Sequence, residues 1–158
     1  MKSSISAAPE RFSLDTNVLI YAVDTAELER YRRAAWVVER AQSLSCILAV
    51  QSLGEFYAAV TRKSLLSRSE AALMVRSWMA MFPVVGNDAD AVTLALPAVE
   101  TGRFSYWDAL LLGTLARAGC TTLLSEDMAD GSSLAGVTVR NPFAGEVVPE
   151  AVARLLGG

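Results

Sequence analysis

Short apolar runs that alternate with longer stretches of helical spacing are the feature that most constrains what this chain can fold into. The runs are Phe12–Leu14, Cys46–Val50, Pro83–Val85, Thr121–Leu124 and Val137–Arg140. Each is too brief for a helix, and most are apolar throughout rather than every second residue, as in strands covered on both faces. Between them, Glu27–Leu44 reads as an amphipathic helix with Leu28, Tyr31, Ala35, Val38 and Ala41 on one face and Arg30, Arg33 and Arg40 off it. A short helix is expected over Val18–Val23, and longer ones over Ser52–Lys63, Ser67–Met81, Asp88–Thr101 and Ser105–Ala118. Pro97 should cap or kink its segment, and Gly119 should close the last helix. Apolar strands alternating with helices imply a three-layer α/β domain with a central parallel sheet flanked by helices.

The chain has 158 residues, enough for one domain with a real core, and at 53% hydrophobic against 20% charged it should fold. Cys46 and Cys120 lack zinc-ligand spacing and the chain has no His, which excludes the usual structural zinc sites. Buried thiols in a reducing compartment are expected instead. Met1–Glu10 carries no apolar stretch of signal-peptide length, and no run approaches the ~20 apolar residues of a spanning helix. The expectation is a flexible tail over 1–10, a catalytic domain over 11–145, and a tail or short helix over 146–158, in a soluble, cytoplasmic protein without a membrane partner.

In a parallel α/β sheet, residues at the carboxyl ends of strands gather along one edge, and ligands bind there. Asp15 follows the first strand, Glu55 follows the second, and Asp127 follows the fourth. Asp108 opens the helix that feeds the fourth strand, so four acids from four segments are steered to one rim. Each has an ordinary explanation alone. Ser52-Leu53-Gly54-Glu55 fits a capping box, Ser105 to Asp108 fits a looser version, Asp15 could cap a helix, and Asp127 could sit in a turn. Together they repel one another unless a cation intervenes. Hard divalent ions such as Mg²⁺ or Mn²⁺ take oxygen ligands and keep several waters, and they can activate water against a phosphoryl group. The chain offers no His for a triad, no Walker-type loop and no dinucleotide fingerprint.

Phe12-Ser13-Leu14-Asp15-Thr16-Asn17-Val18-Leu19-Ile20-Tyr21-Ala22 resembles the opening motif of PIN-domain ribonucleases. Ser52-Leu53-Gly54-Glu55-Phe56-Tyr57, Ser105-Tyr106-Trp107-Asp108-Ala109-Leu110 and Leu124-Ser125-Glu126-Asp127-Met128 are similar to their second, third and fourth motifs. Arg140-Asn141-Pro142-Phe143 looks like the close of the domain in the VapC-type branch, the toxins of bacterial type II toxin–antitoxin systems. The resemblance runs from Phe12 to Phe143 with the motifs in order. It implies a Rossmann-like PIN fold and endonucleolytic cleavage of RNA by a metal-activated water, with Mg²⁺ as cofactor and Mn²⁺ able to substitute. It also implies that Asp15, Glu55, Asp108 and Asp127 ligate the metal or hold its waters, and that Thr16 bonds the first ligand or the substrate. Glu126 and Asp130 lie close enough in sequence to compete with Asp127. A cognate antitoxin and a homodimer are implied as partners.

A formal charge of −3 argues against a nucleic-acid binder at first sight. Setting aside the four rim acids leaves +1 for the remainder, no barrier to local anion binding. Arg103, in the turn before Asp108, is the expected phosphate contact. Arg62 is seven residues beyond Glu55, ~10 Å along the helix axis and so expected away from the rim. Arg30, Arg32 and Arg33 read as a solvated face. Trp107 is expected to pack against the sheet rather than stack on a base. Val75, Trp78, Met79 and Phe82 read mainly as core, with a partner-binding face as the sharper alternative. The rival functions are a non-catalytic α/β binding module, whose rim acids only cap helices, and a metal-dependent phosphatase. Asn17 stands where an Asp-x-Asp phosphatase would carry its second acid.

Overall fold

Strand β1 (Phe12–Leu14) pairs in parallel with β4 (Thr122–Leu124), and β4 pairs in parallel with β6 (Val137–Arg140). On the other side, β2 (Leu48–Ala49) reaches β1 through a parallel bridge between Phe12 and Cys46 and pairs in parallel with β3 (Val84–Val85). The order is therefore β3-β2-β1-β4-β6, with β5 (Ser133–Leu134) antiparallel on β6 at the far edge. These are features of a computed structural model that describes residues 9–158. The expected tail over 1–10 thus lies, apart from Pro9 and Glu10, outside the described residues.

Helices fill both faces. Against one face lie α1 (Thr16–Tyr21), α2 (Leu28–Ala41), α3 (Val50–Arg62) and α4 (Arg68–Met81), sharing a core with Phe12, Leu14, Leu48 and Leu124. Against the other lie α5 (Ala89–Glu100) and α6 (Tyr106–Arg117), packed on Leu123, Val137 and Val139. Leu123 and Leu124 point to opposite cores because successive side chains of a strand alternate between faces. One helical layer therefore covers each side of the sheet, three layers in all, as the apolar runs require. Residues 146–158 contain α7 (Glu150–Leu155), whose Val152, with Leu156 just beyond it, enters the first core. Arg40 fixes that end by donating to the Leu156 carbonyl at 2.8 and 3.0 Å.

Local sequence explains most boundaries. Ser67 and Glu70 form a reciprocal capping box at α4, and Asp88 accepts from Ala91 N at 2.8 Å to start α5. Gly119, at φ 84°, supplies the left-handed residue that ends α6. Pro97 lies inside α5, which continues to Glu100. Three expectations need correction. The buried face of α2 is Ala34, Val37, Val38 and Ala41, and Leu28 is 50% exposed, because the stripe begins one turn later than the sequence pattern suggests. α3 starts at Val50, so Ser52 is inside the helix and is no cap, and its buried Oγ has no hydrogen-bond partner. β5 was not expected. It forms a hairpin with β6 across Ala135 and Gly136, both at positive φ, and Ala135 is an unusual residue for that conformation.

Cys46 and Cys120 are buried free thiols, and burial raises the pKa of each. No helix among the described residues is long and apolar enough to cross a membrane.

The α5–α6 contact supplies a test. A Cβ on Gly113 would lie 2.7 Å from the Ala91 carbonyl oxygen, and backbone cannot swing aside. Helix propensity alone favours Ala over Gly by about 1 kcal/mol. We expect Gly113→Ala to lower stability in urea unfolding, by about 1–3 kcal/mol, because overpacking outweighs propensity. A stabilised variant would show that α5 and α6 are not in close backbone contact.

Candidate active site

Asp15 sits where β1 ends and α1 begins. Its backbone N–H donates to the Leu124 carbonyl at 2.9 Å, which locks it beside the end of β4. Its side chain caps α1 by accepting from Thr16 N at 2.8 Å. Ser125, the residue after β4, donates its Oγ–H to Asp15 Oδ2 at 2.7 Å and accepts from Asp127 N at 3.2 Å. Asn17 ties the two loops together. Its Nδ2 lies 3.4 Å from Asp15 Oδ2, 3.2 Å from Ser125 Oγ and 3.2 Å from Asp127 Oδ2, while its Oδ1 accepts from Glu126 N at 3.1 Å.

Glu55 reaches the same place from α3, where Thr16 Oγ1 donates to its Oε2 at 2.9 Å. Gln51, one turn earlier, donates to Glu55 Oε1 at 3.4 Å and to the Trp107 carbonyl at 3.1 Å, joining α3 to the start of α6. Asp108 stands in the first turn of α6, where its N–H donates to the capping Ser105 Oγ at 3.2 Å.

Electrostatics marks these acids as one group. Asp15 is only 6% exposed, and burial raises its pKa to about 6 against the hydrogen bonds from Ser125 and Thr16, with the charges of Asp127 and Glu55 adding to the rise. Half-buried Asp108 is also raised, first by desolvation and then, against its Ser105 bond, by Asp127 and Glu55. All four expected acids therefore lie in one field of negative charge. Glu126 does not, since it pairs with Arg30 at 3.0 Å and accepts from Tyr21 Oη at 3.1 Å. Asp130 accepts from Asn141 N at 3.0 Å. Of the three neighbouring acids, Asp127 is the one Asn17 holds beside Asp15.

Four carboxylates with no nearby nitrogen or sulfur donor are hard-oxygen ligands, and their mutual repulsion is the kind a divalent cation relieves. Among the described residues no three acid or cysteine side chains stand close enough to enclose an ion.

A cavity of about 580 Å³ opens beside the cluster, lined by Thr16, Asn17, Glu55 and Asp127 and further along by Arg62 and Lys63. Arg62 was expected away from the rim, further along α3, and the cavity that Glu55 lines extends as far as that residue. Arg103 is not among its lining residues. Its guanidinium donates to the Ser133 carbonyl at 2.8 Å and lies 5.6 Å from the Phe104 ring. Trp107 is 60% exposed beside Asp108, edge-to-face with Tyr106, and is not packed on the sheet as expected. The α6 face that meets the sheet is filled by Leu110 to Leu112 and Leu115 instead. Trp78 and Phe82 are buried as core, whereas Met79 is 53% exposed. The positioning roles of Asn17, Ser125 and Gln51 were missed. Asn17 and Ser125 sit inside the first and fourth motifs, but nothing in the sequence singles out Gln51.

This is the fold of PIN-domain proteins, a central parallel sheet between helices. Among solved structures the chain is similar to VapC20 of Mycobacterium tuberculosis, a sarcin–ricin-loop-cleaving toxin, at 16% identity and a TM-score of 0.57, over 77% of this chain and 91% of that one. It is similar to DNA-bound VapBC of Salmonella typhimurium at 15% identity and a TM-score of 0.59, over 84% and 98%. It also resembles PAE2754 of Pyrobaculum aerophilum at 13% identity and a TM-score of 0.60, over 98% and 95%. At these identities the likeness is one of fold. No protein-family profile and no curated protein sequence matches the chain.

A carboxyl whose pKa is raised in the folded state holds a proton that the unfolded chain has released, so it costs stability as pH rises between 3.8 and about 6. The cost of ionised Asp15 without metal is on the order of 3 kcal/mol. Asp15→Asn should therefore melt above wild type in chelator, with an advantage that grows across that pH window and is flat beyond it. A difference that shrinks with rising pH would contradict the strained carboxylate.

Proposed function

We propose that this chain is a metal-dependent endoribonuclease and the toxin of a toxin–antitoxin pair. The observation that carries the proposal is the convergence of Asp15, Glu55, Asp108 and Asp127 in one negative field beside an open cavity. Asp15, Asp108 and Asp127 would hold a Mg²⁺ ion directly or through its waters, with Glu55 as the fourth acid, and Mn²⁺ would substitute. When bound, the ion supplies Lewis acidity toward water and toward the phosphoryl oxygens.

The chain's own residues set the geometry. Ser125 and Thr16 N–H hold the two oxygens of Asp15, Asn17 holds Asp127, and Thr16 Oγ1 holds Glu55. These bonds favour the ionised carboxylates that ligation needs. Glu55 is exposed at the cavity wall, where it can accept a proton from an attacking water. The cavity is open to solvent and lined by Glu55 and Asp127, so a strand lying in it would bring a phosphate to these acids.

Fold likeness to VapC20 and to VapBC supports the toxin reading and, with it, an RNA substrate and an antitoxin partner. A homodimer and a cytoplasmic location belong to the same proposal. Val50, Tyr57 and Met79, exposed apolar side chains that line a groove between α3 and α4, offer a surface for such a partner.

The test is cleavage of total cellular RNA by the purified protein with Mn²⁺, with chelator, and with Asp15→Asn and Asp108→Asn. We expect discrete fragments that disappear with chelator and fall at least 100-fold in either variant, the order of effect of removing an electrostatic catalytic group. A folded Asp108→Asn protein that cuts as well as wild type would refute the acidic site. Metal-independent binding of RNA without cleavage would favour the binding module.

A further inference from the structure

One wall of the cavity carries charge that the acids do not account for. Arg62 and Lys63, the last residue of α3 and its C-cap, line the cavity that holds Glu55 and Asp127. Ala58 and Ala59 lie between, and their small side chains leave the path along the helix open. The end of α3 is fixed: Ser64 takes a left-handed φ of 56°, and Leu65 N donates to the Val60 carbonyl at 2.9 Å. Arg62 and Lys63 are exposed, and among the described residues neither has an ion-pair partner. Asp24 and Glu27 also line the cavity, from the loop between α1 and α2.

Four acids, Asp24, Glu27, Glu55 and Asp127, repel a polyanion along most of this lining, and Arg62 and Lys63 at the end of α3 are the cations that can hold it there. We infer that Arg62 and Lys63 bind backbone phosphates of a single-stranded RNA whose scissile phosphate lies at the acids, an inference that rests on the nuclease reading. Seven residues of helix span ~10 Å, roughly three nucleotides of stacked strand at ~3.4 Å each. The contacts therefore lie beyond the cut and set the register of the strand without touching the reacting atoms. The ordinary alternative is that both cations merely oppose the helix dipole at the end of α3. That role would move the melting temperature and leave RNA affinity alone.

The experiment measures binding of a short, unstructured, mixed-sequence RNA by fluorescence anisotropy across a salt series. It uses the full chain with Mg²⁺ in an Asp108→Asn background, so that the strand is bound and not cut. Each phosphate contact on a single strand contributes ~0.7 to the slope of log affinity against log salt. Arg62→Gln/Lys63→Gln should lower that slope by about 1.4 and weaken binding about tenfold near 0.15 M salt. Arg62→Lys should keep the slope, because the charge stays. An unchanged slope in the double variant, or no salt-dependent binding by the parent, overturns the inference. Wild-type cleavage with an unchanged slope removes the phosphate contacts and leaves the nuclease. A lost slope without wild-type cleavage keeps the contacts and removes the nuclease.

Discussion

The parallel pairing of β1 with β4 is the contact on which the candidate site depends. It ends in the hydrogen bond from Asp15 N to the Leu124 carbonyl, and from that point the two chains diverge into α1 and the Ser125–Asp127 turn. Because both strands run the same way, both leave an acid at the same edge. Antiparallel pairing would put Asp15 and Asp127 at opposite ends of the sheet. Ser125 and Asn17 then convert neighbouring loops into one bonded unit, so that residues 110 positions apart share a hydrogen-bond network.

That network holds charge at a cost. Burial raises the pKa of Asp15 while Ser125 and Thr16 pull it down, and the net rise shows that desolvation wins. A divalent cation placed beside Asp15 would relieve that strain. Of the chain's seventeen acids, four gather at the edge, and the cavity that starts there also reaches Arg62 and Lys63. Arg30, by contrast, is paired with Glu126 and lies 5.5 Å from the centre of the Tyr21 ring.

Much of this was legible in the sequence because it follows from period and position. Apolar runs gave the strands, and acids just past them, at Asp15, Glu55 and Asp127, gave the edge. What was hidden depends on packing between segments. Ser52 looks like a cap because it precedes Glu55 by three, yet the chain turns helical at Val50 and buries it. Trp107 looks like core because it is large, yet the leucines that follow it in α6 fill the sheet face and leave it outside. Arg62 was placed by helix rise alone, which gives distance along α3 but not the direction in which the cavity runs. Arg103 was placed by proximity to Asp108 in sequence, and its bond to Ser133 depends on β5, a strand whose turn uses Ala135 at positive φ.

If four acids from separate segments form one cation site, a bound ion lies among them. The most direct measurement is anomalous scattering from crystals of the protein grown or soaked with Mn²⁺. A peak is expected at the carboxyl edge of the sheet, within direct or water-mediated reach of Asp15, Asp108 and Asp127. Well-ordered crystals with no peak there at saturating Mn²⁺, or with manganese bound only elsewhere, would contradict it.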